Sequence, residues 1–234
     1  MRLMDMIQCP PGVPRLSTIS CRRAGNGLRE VLCEVSLATQ EISPAGRLTD
    51  RFTAHCKGQV ILDGGDGGRG YPGEGLPDFP VRLDELRTRR MDHKKVLKWY
   101  KDRSGLQGRY RVMEFLDGAG QGVVRGRTVY RETRDFANLR DARYQYSPYL
   151  FEALLQLVTF YIAAMDPSER RSMIPTEFGE MRFLRKCRIG EQITLEARMR
   201  AQDDKGIAWD ARGIDDQGRT IMQVYGLRMH WVSD

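Results

Sequence analysis

Glu152 and Gln156 are the residues of this chain whose types and spacing could do chemistry. They stand four apart inside SPYLFEALLQLVTFYIAAM, residues 147–165, a stretch apolar on nearly every side. Four residues is one helical turn, so both side chains share a face, and Thr159 continues it. A carboxylate inside such a helix is costly unless it is paired or stays protonated. A carboxyl group kept neutral by burial can give up a proton, which is the task of a general acid. The competing reading is a structural carboxylate that bonds a backbone group or an arginine.

The elements around these residues must position them. The pattern predicts a helix over 148–165, buried all round, with Ser147 as N-cap and Pro148 at the first helical position. Four strand-like segments follow, at 180–185, 192–202, 206–214 and 220–232. Asp/Gly-rich turns at 203–206 and 215–218 separate the last three. The alternation of Ile193, Leu195, Ala197 and Met199 is clean. An antiparallel sheet of this kind must cover one face, and the apolar helix is the obvious cover. A sheet wrapped round one long helix is the hot-dog arrangement, an α+β class.

Upstream, 16–20, 28–39 and 51–62 read as strands, the last two joined as a hairpin through the turn at 43–46. DGGDGGRGYPGEGLPDFP, residues 63–80, reads as a Gly/Pro-rich linker and a domain boundary. The chain therefore divides into 1–64, a linker at 65–80, and 81–234. A basic amphipathic helix is expected over 92–103, with Val96, Leu97 and Tyr100 on its apolar side. Strands are expected over 109–116 and 122–130, with an Asp117-Gly118 turn between them.

Composition bounds the function. The 234 residues are 41% hydrophobic and 29% charged, which suits a soluble globular protein with a real core. No stretch of about 18 apolar residues free of charge predicts a membrane span. No signal peptide stands out in residues 1–14, so the expected location is cytoplasmic. The five cysteines, with no C-x-x-C spacing, argue against disulfides and against a metal site. Cys187, set among basic residues, invites a lowered pKa but has no catalytic partner nearby.

The net charge of +7 attracts nucleic acid, anionic membranes or acidic proteins, and two charge clusters carry much of it, each also readable as a solvated basic face. One cluster comprises Arg87, Arg89, Arg90, Lys94, Lys95, Lys98, Lys101 and Arg103, the other Arg182, Arg185, Lys186 and Arg188. No nucleic-acid motif accompanies them, so no specific nucleic acid is expected.

Ser147 to Gln156 resembles the second hot-dog motif of polyketide synthase dehydratase domains, H-P-x-L-L-D-x-x-x-Q. Trp99-Tyr100, with Gly105 and Gly108 before Tyr110, is similar to the segment that opens the second hot dog there. His55 to Val60 resembles the H-x-x-G-x-v strand that closes the first. The resemblance implies a double hot dog that removes water from a 3-hydroxyacyl chain. That chain rides on the phosphopantetheine of an acyl carrier protein, in polyketide or fatty-acid-type synthesis, with no further cofactor. It places Glu152 where the family has an acidic Asp, and Gln156 at the family's Gln. Tyr110 and Thr159 become candidate substrate contacts, and Arg182, Arg185 and Arg188 candidate docking residues for the carrier.

The family's basic His lies in H-x-x-x-G-x-x-x-x-P, and none of His55, His93 or His230 fits that pattern. The first hot dog is therefore expected to lack its N-terminal part, leaving apolar sheet that a homodimer or another synthase subunit would cover. Two alternatives stay open. One is a non-catalytic hot-dog module that binds acyl chains or scaffolds a synthase. The other is a hot-dog thioesterase.

Overall fold

A computed structural model describes residues 2–3, 17–26, 30–43, 45, 47–63, 81–86, 90–104, 106–131 and 148–232. The chain divides into two compact units, Met1–Asp78 and Phe79–Asp234. The predicted linker at 65–80 and the predicted cap Ser147 lie outside the described residues, as do Arg87 and Arg89.

The first unit is antiparallel. Strands β1 (Arg2–Leu3), β2 (Ser17–Asn26), β3 (Glu30–Ile42) and β4 (Leu48–Asp63) pair in the order β2-β3-β4-β1. The hairpin expected between β3 and β4 is present, with Glu30 opposite Asp63 and Ile42 opposite Leu48. The Ser43 amide donates to the Arg47 carbonyl at 2.8 Å and closes the turn.

The second unit holds α1 (His93–Trp99), β5 (Phe115–Gly120), β6 (Val123–Val129), α2 (Pro148–Met165), β7 (Ser172–Glu177), β8 (Glu180–Phe183), β9 (Gln192–Gln202), β10 (Gly206–Ile214) and β11 (Thr220–Val232). Its strands run β7-β11-β10-β9-β6-β5, each antiparallel to its neighbours. β8 shares the β11 edge with β7, lying beside Met222–Tyr225 while β7 lies beside Arg228–Val232.

α2 crosses β5, β6, β9 and β10. Leu150, Leu154, Leu157, Val158 and Phe160 pack with Ile193, Leu195, Ile207, Trp209, Ile221 and Met222, and all are fully buried or nearly so. Each such side chain contributes about 1.5–3 kcal/mol by leaving water. The architecture is the expected α+β hot dog.

α2 is not buried all round. Phe151, Glu152, Leu155, Thr159, Ile162 and Ala163 form a partly exposed stripe. By length and hydropathy alone α2 could cross a membrane, yet ten of its side chains are buried inside the protein.

Several boundaries differ from the expectation. α1 starts on an Asp92 cap, whose side chain accepts from the Lys95 amide at 2.9 Å, and gives way to a π turn over Tyr100–Ser104. Val96 and Tyr100 face inward at i and i+4, while Leu97 falls off that stripe and is exposed. The predicted strand at 109 begins at Phe115, after a 3₁₀ turn at Gly108–Tyr110. Asp117-Gly118 is no turn but a bulge within β5. The hairpin closes at Gln121 and Gly122, whose φ values of 49° and 75° are those of a type I′ turn.

Candidate active site

Three segments converge on Gln156. α2 supplies Gln156 itself, buried at 4% exposure, and Glu152 one turn earlier. The π turn at the end of α1 aims Tyr100, which has no exposed surface, at the same point. The extended stretch before β5 contributes backbone from Tyr110, Val112 and Met113.

The Gln156 amide nitrogen donates to the Tyr110 carbonyl at 2.7 Å and to Oε1 of Glu152 at 2.6 Å. Its oxygen accepts from the Tyr100 hydroxyl and, at 3.4 Å, from the Val112 amide. The Tyr100 hydroxyl accepts in turn from the Met113 amide at 2.9 Å. A carboxamide offers two protons and two lone pairs, and here all four are used. The partners also fix which end of the amide is oxygen: a carbonyl and a carboxyl sit at one end, two donors at the other.

Burial pushes the Glu152 carboxyl above its ordinary value, and the hydrogen bond from Gln156 only partly offsets this. Burial likewise pushes Tyr100 far up, so its hydroxyl stays protonated and donates. Because Oε1 of Glu152 accepts the Gln156 proton, an acidic proton on the carboxyl belongs on Oε2. That oxygen has no hydrogen-bond partner among the described residues. The arrangement presents a carboxyl group whose charged form is disfavoured by burial, with one oxygen anchored by Gln156 and the other without a partner among the described residues.

A family model described as the polyketide synthase dehydratase N-terminal domain matches residues 79–234. The chain belongs to the polyketide synthase dehydratase family. Solved dehydratase domains share the fold of this family member. An inactive mutant of the CurK dehydratase superposes with a TM-score of 0.68 at 15% identity, over 100% of this chain and 74% of that one. The dehydratase domain from the CurF module of the curacin polyketide synthase gives 0.68 at 17%, over 99% and 74%. The dehydratase domain of PpsC from Mycobacterium tuberculosis, in complex with C12:1-CoA, gives 0.63 at 15%, over 99% and 73%. No curated protein matches the chain.

Within this dehydratase-family unit, Glu152 and Gln156 meet as their spacing suggested. Tyr110 joins them through its carbonyl, while its side chain is 45% exposed. The Thr159 hydroxyl shares the face but donates to the Leu155 carbonyl of its own helix at 3.1 Å. Tyr100 is the functional partner that the sequence reading missed as such, taking it for a core aromatic. The signal was present, because a buried tyrosine hydroxyl needs a partner.

The expected docking arginines are mostly engaged elsewhere. Arg182 pairs with Glu180. Arg185 bridges Glu191 and Asp215, the latter at 2.9 Å. Arg188 is exposed and has no ion pair among the described residues. Cys187 fits the structural reading rather than a reactive one, since burial pushes its thiol up to about 11.

The histidines have surroundings of their own. His55 is buried in the first unit with Nε2 2.6 Å from the Thr39 hydroxyl. His93 opens α1, 3.3 Å from a Glu114 oxygen. His230 lies on β11 opposite Gly206 and Ile174.

Proposed function

We propose that this chain provides the acid half of a dehydratase acting on a 3-hydroxyacyl thioester carried by an acyl carrier protein. The observation that supports this reading is the half-buried Glu152, its carboxyl pushed above the ordinary value by burial and its Oε1 anchored by Gln156. Glu152 Oε2 gives its proton to the β-hydroxyl as the Cβ–O bond breaks, and water leaves. A base removes the α-proton, the electron pair forms the Cα=Cβ bond, and Glu152 is left as a carboxylate. Each turnover then returns a proton from the base to Glu152 through solvent.

Gln156 orients the acid rather than the substrate, since its own hydrogen-bonding capacity is filled. A glutamate reaches about 1 Å further than an aspartate, and misplacement on that scale can cost about 100-fold. The Tyr100–Gln156 anchor limits that loss by holding the longer side chain. No histidine hydrogen-bonds Glu152 among the described residues, so the base is a group that the described site does not include.

The experiment is mass spectrometry of a 3-hydroxybutyryl chain on a carrier protein, with wild-type chain and with Glu152→Gln. Loss of one water that disappears in the variant supports the reading. Carrier binding without mass change points instead to a non-catalytic acyl-binding module, and thioester cleavage to a thioesterase.

A further inference from the structure

The exposed side of α1 carries an open groove. It has a volume of about 530 Å³ and is lined by Arg90, Met91, Lys95, Lys98, Trp99 and Arg103, with Asp102 at its edge. Its floor is apolar. Trp99 is half-buried and braced by Phe160, the ring centroids 4.2 Å apart, so the indole is a fixed surface. Met91 beside it is held by a backbone bridge to Leu116.

The rim is basic, and its cations differ in how they are occupied. Lys98 is paired with Asp102 at 2.5 Å. Arg103 donates to the Pro167 and Glu169 carbonyls at 2.5 and 3.2 Å. Arg90 and Lys95 are exposed and have no ion pair among the described residues, and Lys94 and Lys101 add two more exposed charges along the same segment. An apolar floor rimmed by cations, with Arg90 and Lys95 unpaired, suits an acidic surface that carries one apolar side chain at its centre. A free phosphate would meet the rim but leave the Trp99–Met91 floor unfilled.

We propose that this groove is where an acidic acyl carrier protein docks, seating one apolar side chain on Trp99 and Met91 between Arg90 and Lys95. The inference rests on the function proposed above and relocates its partner's site. The trio 182, 185 and 188 contributes a single exposed, unpaired arginine, whereas α1 offers a concave floor as well as charge. α1 is also the helix whose inward Tyr100 bonds Gln156. Docking on its outer side would therefore place the carrier on the segment that leads into the Tyr100 turn of the site.

The test measures binding of an apo acyl carrier protein, which lacks the pantetheine arm, to the full chain by calorimetry at low and high salt. Arg90→Glu with Lys95→Glu should weaken binding about 10-fold or more, and added salt should weaken the wild-type complex. Arg188→Glu should leave binding within about twofold, as a charge outside the contact does. Coenzyme A should not compete. Circular dichroism melts verify that each variant is folded. Unchanged binding in the double variant, loss with Arg188→Glu, competition by coenzyme A, or no binding by the wild type would each overturn the proposal. Binding needs no turnover, so the two readings fail separately. A chain that docks through Arg90 and Lys95 but removes no water leaves this inference standing. A chain that dehydrates while the double variant binds normally removes only this one.

Discussion

Gln156 Nε2 donates to Glu152 Oε1 across 2.6 Å, one turn apart on α2. This contact makes Glu152, the proposed acid, a positioned group. Replacing Glu152 with Gln keeps the acceptor for Gln156 and removes the proton donor. Dehydration should fall at least about 100-fold, the range in which a proton-donating side chain contributes. A rate within threefold of wild type in a single-turnover assay would show that another group protonates the leaving hydroxyl.

The same variant should be more stable at neutral pH. Burial raises the Glu152 carboxyl above its ordinary 4.5, so the native state binds this proton more tightly than the unfolded chain does. The native state is then favoured at low pH and loses that advantage as pH rises through the raised value. Glu152→Gln removes the loss. Its melting temperature should exceed that of wild type at pH 8, by about 2–4 °C for each kcal/mol regained. The difference should shrink as pH is lowered to 4. A variant less stable than wild type at pH 8 contradicts the assignment.

Tyr100→Phe removes the donor to Gln156 Oε1 and the acceptor for the Met113 amide. Leaving buried groups unpaired should cost about 1–3 kcal/mol. A merely structural tyrosine would lower stability alone. Here kcat should fall while KM is unchanged, and the alkaline limb of the kcat–pH profile, where the proposed acid loses its proton, should move because Gln156 no longer holds Glu152 in one place. Unchanged kcat at a lowered melting temperature would confine Tyr100 to packing.

Arg185 joins Glu191 and Asp215, and Arg219 adds a second contact to Asp215 at 2.9 Å. Burial would raise the Asp215 carboxyl, yet the Arg219 amide, the Arg219 guanidinium and Arg185 outweigh it and hold the group at about 2. Its stabilising share is therefore present above the ordinary aspartate value and is lost as pH falls towards 2. Arg185→Ala leaves Glu191 without its guanidinium and Asp215 with Arg219 alone, and should destabilise the protein at pH 7. Urea midpoints should show a gap between variant and wild type at pH 7 that narrows at pH 3. An equal gap at both would mean that the ion pairs contribute little.

Gly126 on β6 lies under α2. A Cβ there would sit 2.6 Å from Met113 Cε, 2.7 Å from the Phe115 carbonyl oxygen and 3.0 Å from Leu157 Cδ1. Met113 can swing away, but the β5 backbone cannot. Gly126→Ala should destabilise by about 1–3 kcal/mol. A neutral denaturation midpoint would show that β5 and α2 yield more readily than this packing implies.

The parts of the fold that could be read from sequence are those where one signal dominates. α2 begins at Pro148 and ends at Met165 as expected, since an 18-residue apolar run has few other solutions. β9, β10 and β11 match their expected spans, because Asp/Gly turns bound them and alternation marks their inward residues. β7 was not legible. SMIPTE contains Pro175, and its middle residues are all half-buried, so it shows no alternation. The stretch 110–113 reads as strand but is instead extended backbone held partly by Gln156 and by Tyr100, side chains distant in sequence. For the site, spacing alone paired Glu152 with Gln156. Tyr100 needed the π turn, a change of helical winding that no local pattern announces. Arg182 and Arg185 look like a surface charge run until the partners Glu180, Glu191 and Asp215 are placed beside them.

The order of α2 and its covering sheet has a consequence for biosynthesis. α2 leaves the ribosome before β9, β10 and β11, the strands that supply most of its apolar partners. The chain must grow by 67 more residues, from Met165 to Val232, before that sheet is whole. At typical elongation rates this interval lasts roughly 3–13 s. Throughout it the nascent chain displays an 18-residue helix apolar enough to pass for a membrane span. Glu152 is the single ionised interruption in that segment. The residue proposed as the acid in the finished protein thus also marks the unfinished one as a poor substrate for insertion into lipid.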